Sequence, residues 1–276
     1  MTMNEDRATP AQLLAIAEAV VAPAAAQVAE LRAGAAREVS TKSTETDVVT
    51  AADRAVERQL VAELRRRRPT DAVFGEEYGA GGDPAGAGGS GVRWLLDPID
   101  GTVNYLYGIP WYAVSIAAEV DGEVVAGVVR NAATGDQWSA SAGHGAWREG
   151  RRLRGSTETR LGHALVATGF GYQPARRAYQ AEVLARLLPQ VRDVRRLGAA
   201  ALDLCLAAEG TVDVFYERGL QPWDHAAGGL IAAEAGLTVA GLDGAPGDGE
   251  MFIAAPPALF GPLHDRLREL AAAAGP

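Results

Sequence analysis

The chain has 276 residues, 48% of them apolar, which is enough to bury a large core in one compact unit spanning 1–276. Its formal net charge of -9 disfavours a surface built to grip nucleic acid, and any anionic substrate would need interposed cations from bound metal or local arginines. A single cysteine, Cys205, lies in an apolar stretch, which excludes an intrachain disulfide framework and fits a reducing compartment.

Thr9 followed by Pro10 predicts a helix N-cap and first turn, and Ala-rich amphipathic sequence carries the helix to Gly34, with Pro23 set to kink it. Glu18, Pro23, Gln27 and Glu30 interrupt the apolar run as a secretory or membrane-spanning segment would not, so a soluble cytoplasmic protein is expected. Residues 50–53 have capping-box spacing and open a second helix that fades before Pro69, with arginines 65–68 complementing its C-terminal dipole. A short apolar run at 72–74 ends in Gly75. Residues 79–91 read as a mobile Gly-rich surface loop. Gly86, Gly88 and Gly91 match GxGxxG, but the match precedes a strand instead of following one, so no dinucleotide site is expected.

Residues 92–96 predict a buried strand that ends at Asp97, where Pro98 stops further pairing. A hairpin follows, with strands at 113–120 and 123–130 joined at Asp121 and Gly122. Later segments alternate: helix near 174–188, strand near 193–196, helix from Ala199, strand near 212–216, helix from Asp224. Hairpins mixed with helix-flanked strands predict layered sheets with helices between and outside them.

The segment 97–104, DPIDGTVN, carries the most chemistry. Asp97 and Asp100 fall in one turn, so their carboxylates can converge, while Gly101 and Thr102 can present N–H groups at a helix start. Asx turns and a helix cap account for the same residues equally well. Two crowded carboxylates repel unless a hard cation such as Mg²⁺ neutralises them. Glu76 and Glu77 lie just past the 72–74 run, Asp224 precedes a helical pattern and Asp47 precedes two valines; each also has an ordinary turn, cap or surface role. The four histidines are scattered, and neither a Ser nucleophile elbow nor a Walker A loop is present.

Read together and in order, Glu76 with Glu77, DPIDGTVN and Trp223 with Asp224 resemble the signature of the inositol monophosphatase family, over 42–236, and residues 108–116 and 195–210 are similar to its bacterial members. The resemblance implies a mixed α/β layered αβαβα sandwich of the inositol monophosphatase / fructose-1,6-bisphosphatase type, a homodimer, two or three Mg²⁺ ions and inhibition by lithium. It implies that Glu76, Asp97 and the Ile99 carbonyl hold one ion, that Asp97, Asp100 and Asp224 hold another, and that Glu77 supports them. Asp47 and Thr102 would then orient and deprotonate the attacking water, and the Gly101 and Thr102 N–H groups would cradle the phosphate. Gly198, Ala199, Ala200 and Glu217 would line a polyol pocket. The sequence departs from the family pattern at Tyr78, at the long 79–91 loop and at Ala199, where a hydroxyl is usual. The expected substrate is a small phosphorylated polyol, inositol-1-phosphate first, with histidinol phosphate, fructose 1,6-bisphosphate or phosphoadenosine phosphate as alternatives on the same site. A regulatory partner of the transcription or translation machinery is the alternative of another class.

Overall fold

Helix α1 (Pro10–Ala35) opens the computed structural model, which describes residues 8–35, 39–41, 48–79 and 89–276. Its start is a reciprocal cap: the Thr9 N–H donates to Gln12 Oε1 at 2.8 Å and the Gln12 N–H to Thr9 Oγ1 at 3.3 Å. By length and composition Pro10–Arg32 is apolar enough to cross a membrane, with mean hydropathy 1.5. Here Leu13, Ala17, Val20, Val21, Ala24 and Val28 are buried in a core, which is the position of a core helix.

After β1 (Val39–Thr41) and β2 (Val48–Thr50), an antiparallel pair, come α2 (Ala51–Arg67), β3 (Ala72–Gly75), β4 (Val92–Asp100) and the short α3 (Thr102–Tyr107). The predicted hairpin is β5 (Ala113–Val120) and β6 (Glu123–Asn131). Its turn has positive φ at Asp121 (52°) and Gly122 (89°), as a two-residue hairpin turn of this hand requires. Strands β7 (Gln137–Ser141), β8 (Ala146–Arg148) and β9 (Arg151–Arg152) extend a seven-stranded sheet in the order β3-β4-β5-β6-β7-β8-β9, antiparallel except for the β3–β4 pair.

The second half supplies β10 (Leu165–Thr168), α4 (Pro174–Leu187), β11 (Asp193–Arg195), α5 (Ala200–Glu209), β12 (Val214–Glu217), α6 (Pro222–Glu234), β13 (Thr238–Ala240), β14 (Phe252–Ala255) and α7 (Pro257–Glu269). Its five strands run β11-β10-β12-β14-β13, with β10 parallel to both neighbours and β14 antiparallel to both of its own.

Period-two burial on the central strands builds the layers. Val114, Ile116 and Ala118 of β5 face the core shared with α1 and α2, whereas Ala113 and Ala117 face the core shared with α5 and α6. In the other sheet Phe215 and Ala254 join that inner core, and Val214, Ile253 and Ala255 join α4 and α7. The order is therefore α1/α2, seven-stranded sheet, α5/α6, five-stranded sheet, α4/α7, the predicted αβαβα sandwich. Small residues allow α6 its central place: a Cβ on Gly127 of β6 would stand 2.9 Å from Ala227 Cα.

Two boundaries differ from expectation in ways that matter for the site. Strand β4 does not end at Asp97; it continues to Asp100, which pairs with Ala113, and the register shifts between Asp97 and Asp100. Pro98, which cannot donate, sits inside that irregularity. Helix α6 begins at Pro222 with Gln221 as its N-cap, so Asp224 is the third helical residue, contributing to the cap as the N3 member of a capping box and not as the N-cap residue itself.

Candidate active site

At the end of β4, seven consecutive residues from Trp94 to Asp100 are buried, and the irregularity turns both aspartates to the same end of the sheet. The Asp97 side chain accepts the Ile99 N–H at 3.0 Å, tightening the turn. Gly101 follows in a left-handed conformation, φ 89° and ψ 39°. A Cβ there would meet the Trp111 carbonyl oxygen at 3.0 Å and the Ala199 Cβ at 3.1 Å, so only glycine fits between these two loops. Asn104 of α3 clips the same loops together, its Nδ2 donating to the carbonyls of Trp111 and Leu197, each at 2.8 Å.

Asp100 reaches across to α5, accepting the N–H groups of Ala200 at 3.2 Å and Ala201 at 2.8 Å. A carboxylate satisfies otherwise orphaned amides and complements the helix dipole at such a position. Asp224 accepts the N–H of Gln221 at 2.7 Å, capping its own helix. Trp223 packs on Phe74 of β3 with ring centroids 5.4 Å apart, which docks the start of α6 beside the turn bearing Glu76.

That turn is set by a residue the sequence motifs do not include. Glu57 of α2, 1% exposed, accepts the N–H groups of Glu77 at 2.8 Å and Tyr78 at 3.1 Å. Asp53, one helical turn earlier and fully buried, accepts the Thr102 hydroxyl at 3.3 Å; that hydroxyl also lies 3.1 Å from the Ile99 carbonyl oxygen. The i, i+4 spacing of Asp53 and Glu57 on one helix face was the available signal. Asp203 of α5 also escapes the sequence motifs; it is 1% exposed and accepts Trp111 Nε1–H at 3.0 Å.

These elements enclose an open cavity of about 380 Å³. Glu76, Asp97, Ile99, Asp100, Gly101, Thr102, Gly198, Ala199, Ala200, Glu217 and Asp224 all line it. Glu77 is not a lining residue and Asp47 lies outside the described residues. Arg196 lines the cavity as well, whereas Arg195 pairs with Asp193 at 2.7 Å.

The electrostatics are those of crowded, desolvated anions. Burial first, then the charges of Glu76, Asp100 and Asp224, push the Asp97 carboxyl well above the usual range. Burial and Glu76 do the same to Asp224 against the opposing Gln221 hydrogen bond. Asp100 is pushed up to about 7, burial outweighing the hydrogen bonds from α5. Glu217 is pushed up to about 8 by burial, with Arg196 opposing.

A cation would remove that conflict, and the all-oxygen donor set of carboxylates and one carbonyl suits a hard ion. Among the described residues no group of three acidic, His or Cys side chains already stands in ion-holding geometry. The fit is one of donor chemistry, burial and charge.

Residues 9–273 match the inositol monophosphatase family. Inositol-1-monophosphatase of Mycobacterium leprae is 48% identical over 243 residues, covering 83% of this chain and 84% of the relative. The Pseudomonas aeruginosa protein named Nus factor SuhB is 42% identical over 202 residues, 72% of this chain and 73% of the relative. Among solved structures, Mycobacterium tuberculosis SuhB superposes with a TM-score of 0.81 at 41% identity, covering 96% of this chain and 99% of that one. Whole-chain similarity and a carboxylate-lined cavity at the expected motifs agree, and the chain belongs to the inositol monophosphatase family, a phosphatase family that is generally metal-dependent.

Proposed function

We propose that the protein hydrolyses a small phosphate monoester, inositol-1-phosphate foremost, with Mg²⁺ as cofactor. The observation that carries this is one cavity lined by the four carboxylates of the metal motifs and by two further acidic groups, Asp203 and Glu217. Glu76, Asp97, Asp100 and Asp224 with the Ile99 carbonyl would hold the ion, and Glu77 would support them. Bound there, Mg²⁺ supplies positive charge against the phosphate and lowers the pKa of a water.

The chain's own residues do the rest. Thr102 holds its hydroxyl between Asp53 and the Ile99 carbonyl, which fixes the direction in which it can accept or pass a proton. Asp47 shares that task. Gly101 and Thr102 offer main-chain N–H groups to the phosphate, with Asn104 keeping the surrounding loops closed on them. Gly198, Ala199 and Ala200 leave room for a polyol ring, and Glu217 accepts from its hydroxyls.

A phosphate-release panel of inositol-1-phosphate, histidinol phosphate, fructose 1,6-bisphosphate and phosphoadenosine phosphate, with and without Mg²⁺, tests the reading. Preference for inositol-1-phosphate and loss of release with chelator are expected; release indifferent to Mg²⁺ would sink the cofactor assignment. The protein works in the cytoplasm as a homodimer, a reading supported by the buried Cys205 thiol and by the exposed apolar Val103, Tyr107 and Ile109. A second role beside the transcription machinery is favoured by the relative named Nus factor SuhB, and a lysate pull-down with the full chain tests it.

A further inference from the structure

Two arginines of the cavity lining are engaged by main-chain oxygens of residues 274–276. Arg176 and Arg218 both line the cavity that holds Asp97 and Asp224. Arg218 Nη1 donates to the Ala274 carbonyl at 2.7 Å and the Pro276 carbonyl at 3.3 Å, and its Nη2 to the Gly275 carbonyl at 3.3 Å. Arg176 Nε donates to Pro276 O at 3.2 Å.

The arrangement is seated. Tyr179 donates its hydroxyl to the Ala271 carbonyl at 2.8 Å, and Gly275, with φ 84°, lies so close to the Tyr179 ring that a Cβ would stand 2.7 Å from it. Beneath the rim Gln180, 8% exposed, joins the two loops that flank the arginines, accepting from the Gly171 N–H at 2.9 Å and donating to the Arg218 carbonyl at 3.2 Å. The guanidiniums are thus positioned from below and filled from above by oxygens of a single short stretch.

Paired guanidiniums are the side chains that suit a phosphate, which offers several oxygens in a fixed array. We propose that Arg176 and Arg218 form a second anion subsite, of phosphate chemistry, and that residues 274–276 occupy it and so restrict the cavity to substrates with one phosphate. The contact is a specificity device, and it rests on the phosphatase reading for its substrate class. A bisphosphate must displace three main-chain acceptors before its second phosphate gains the arginines, whereas a monophosphate held at the carboxylates has no second phosphate to place there.

The test compares the full chain with a variant lacking residues 274–276, which are exposed, so the buried Ala272 stays in place. Calorimetry with Mg²⁺, on both chains carrying Thr102→Ala to slow turnover, measures binding of fructose 1,6-bisphosphate and of inositol-1-phosphate, and phosphate release by the two chains without that substitution is followed in parallel. Removing the segment should tighten the bisphosphate by about tenfold or more, the scale of a charge-assisted hydrogen bond, and leave the monophosphate within about twofold. Arg218→Gln in the shortened chain should return the bisphosphate to its full-length affinity. An unchanged bisphosphate affinity, or equal changes for both ligands, overturns the subsite. Failure of the phosphatase reading looks different, as no phosphate released from any ester by the full chain, and the ratio of the two affinities still decides the subsite.

Discussion

Asp100 and Asp224 are both carboxylates at helix N-termini, and both belong to the metal motifs, yet they are anchored differently. Asp224 caps the helix that carries it through the Gln221 N–H, a contact three residues away. Asp100 sits at the end of a strand and takes two amides of α5, one hundred and one hundred and one residues away. The first contact is formed by local folding alone, whereas the second exists only when the seven-stranded sheet and α5 have docked. One aspartate is therefore a site residue with a local cap, and the other is also a tether between layers.

The largest expected effect treats them alike. Asp100→Asn and Asp224→Asn each replace a charged ligand by a weaker neutral one, and loss of a contribution of several kcal/mol should lower turnover by about 10³-fold or more. Stability should separate them. In Asp224→Asn the new amide can turn its carbonyl to the single Gln221 N–H while carboxylate repulsion is relieved, so this variant, free of metal, should melt at or above the parent. In Asp100→Asn the new amide must set its NH₂ against an α5 N–H, leaving donor facing donor, so the melting temperature should fall below that of Asp224→Asn. Equal melting temperatures would remove the distinction.

Next in size is Thr102→Ala. A positioned proton acceptor is worth roughly 10²–10⁴ in rate, and turnover should fall by about 10² while the Mg²⁺ concentration giving half-maximal activity stays put. Because Asp53 holds the Thr102 hydroxyl, Asp53→Asn should act through the same group, and the double variant should lose little more than Thr102→Ala alone. Multiplicative losses would show that Asp53 acts elsewhere.

How far the sequence revealed this follows the same division between local and distant contacts. The β5–β6 hairpin and α4 are legible because Asp121-Gly122 and Pro174 carry their turn and start in the residues themselves. Within each motif the residues are legible because they lie within a few positions of one another, whereas the convergence of the 76–77, 97–104 and 223–224 motifs on one cavity is made by the fold. Strand β4 reads too short because Pro98 normally ends pairing, and only its neighbour β5 shows that the irregularity is absorbed. Helix α7 is not legible, with Pro262 inside it, and β13 and β14 are only three and four residues long. Asp53, Glu57 and Asp203 escape notice as site residues because a charged residue on a helix is solvated by default, and their burial is decided by layers far away in sequence.

A smaller effect falls on Glu217 in the cavity lining. Bound Mg²⁺ brings positive charge into the cavity and favours ionised Glu217, lowering its pKa from the metal-free value of about 8. At saturating Mg²⁺, Glu217→Gln therefore keeps the shape and removes a charged acceptor, which should cost about 1–3 kcal/mol in kcat/KM for inositol-1-phosphate and much less for an aryl phosphate without hydroxyls. Equal losses on both substrates would take Glu217 out of polyol recognition and make it part of the metal site's general electrostatics.

The smallest expected effect is in stability against pH, and it returns to Asp100. A carboxyl whose folded pKa is raised binds more protons folded than unfolded between its two pKa values, so its contribution is full below the unfolded value and is lost as pH rises through the folded one. Asp100, raised to about 7, and Glu217, raised to about 8, therefore make the metal-free protein less stable as pH climbs from about 4 to about 8, and Asp97 and Asp224 act in the same direction. His225, pushed down to about 4 by burial, works in the opposite sense, because its folded form binds fewer protons between about 4 and about 6.5. Above about pH 6.5 the histidine is silent and the carboxyls act alone. The metal-free melting temperature should accordingly fall between about pH 6.5 and about pH 8, at about 2–4 °C per kcal/mol for a chain of this size. Saturating Mg²⁺ should flatten that fall by taking the place of the protons, and Asp100→Asn should remove the part centred near the Asp100 pKa of about 7. A metal-free melting temperature that rises across this window would mean that the cavity carboxyls are already ionised and paired, and that the crowding of anions is not what the ion relieves.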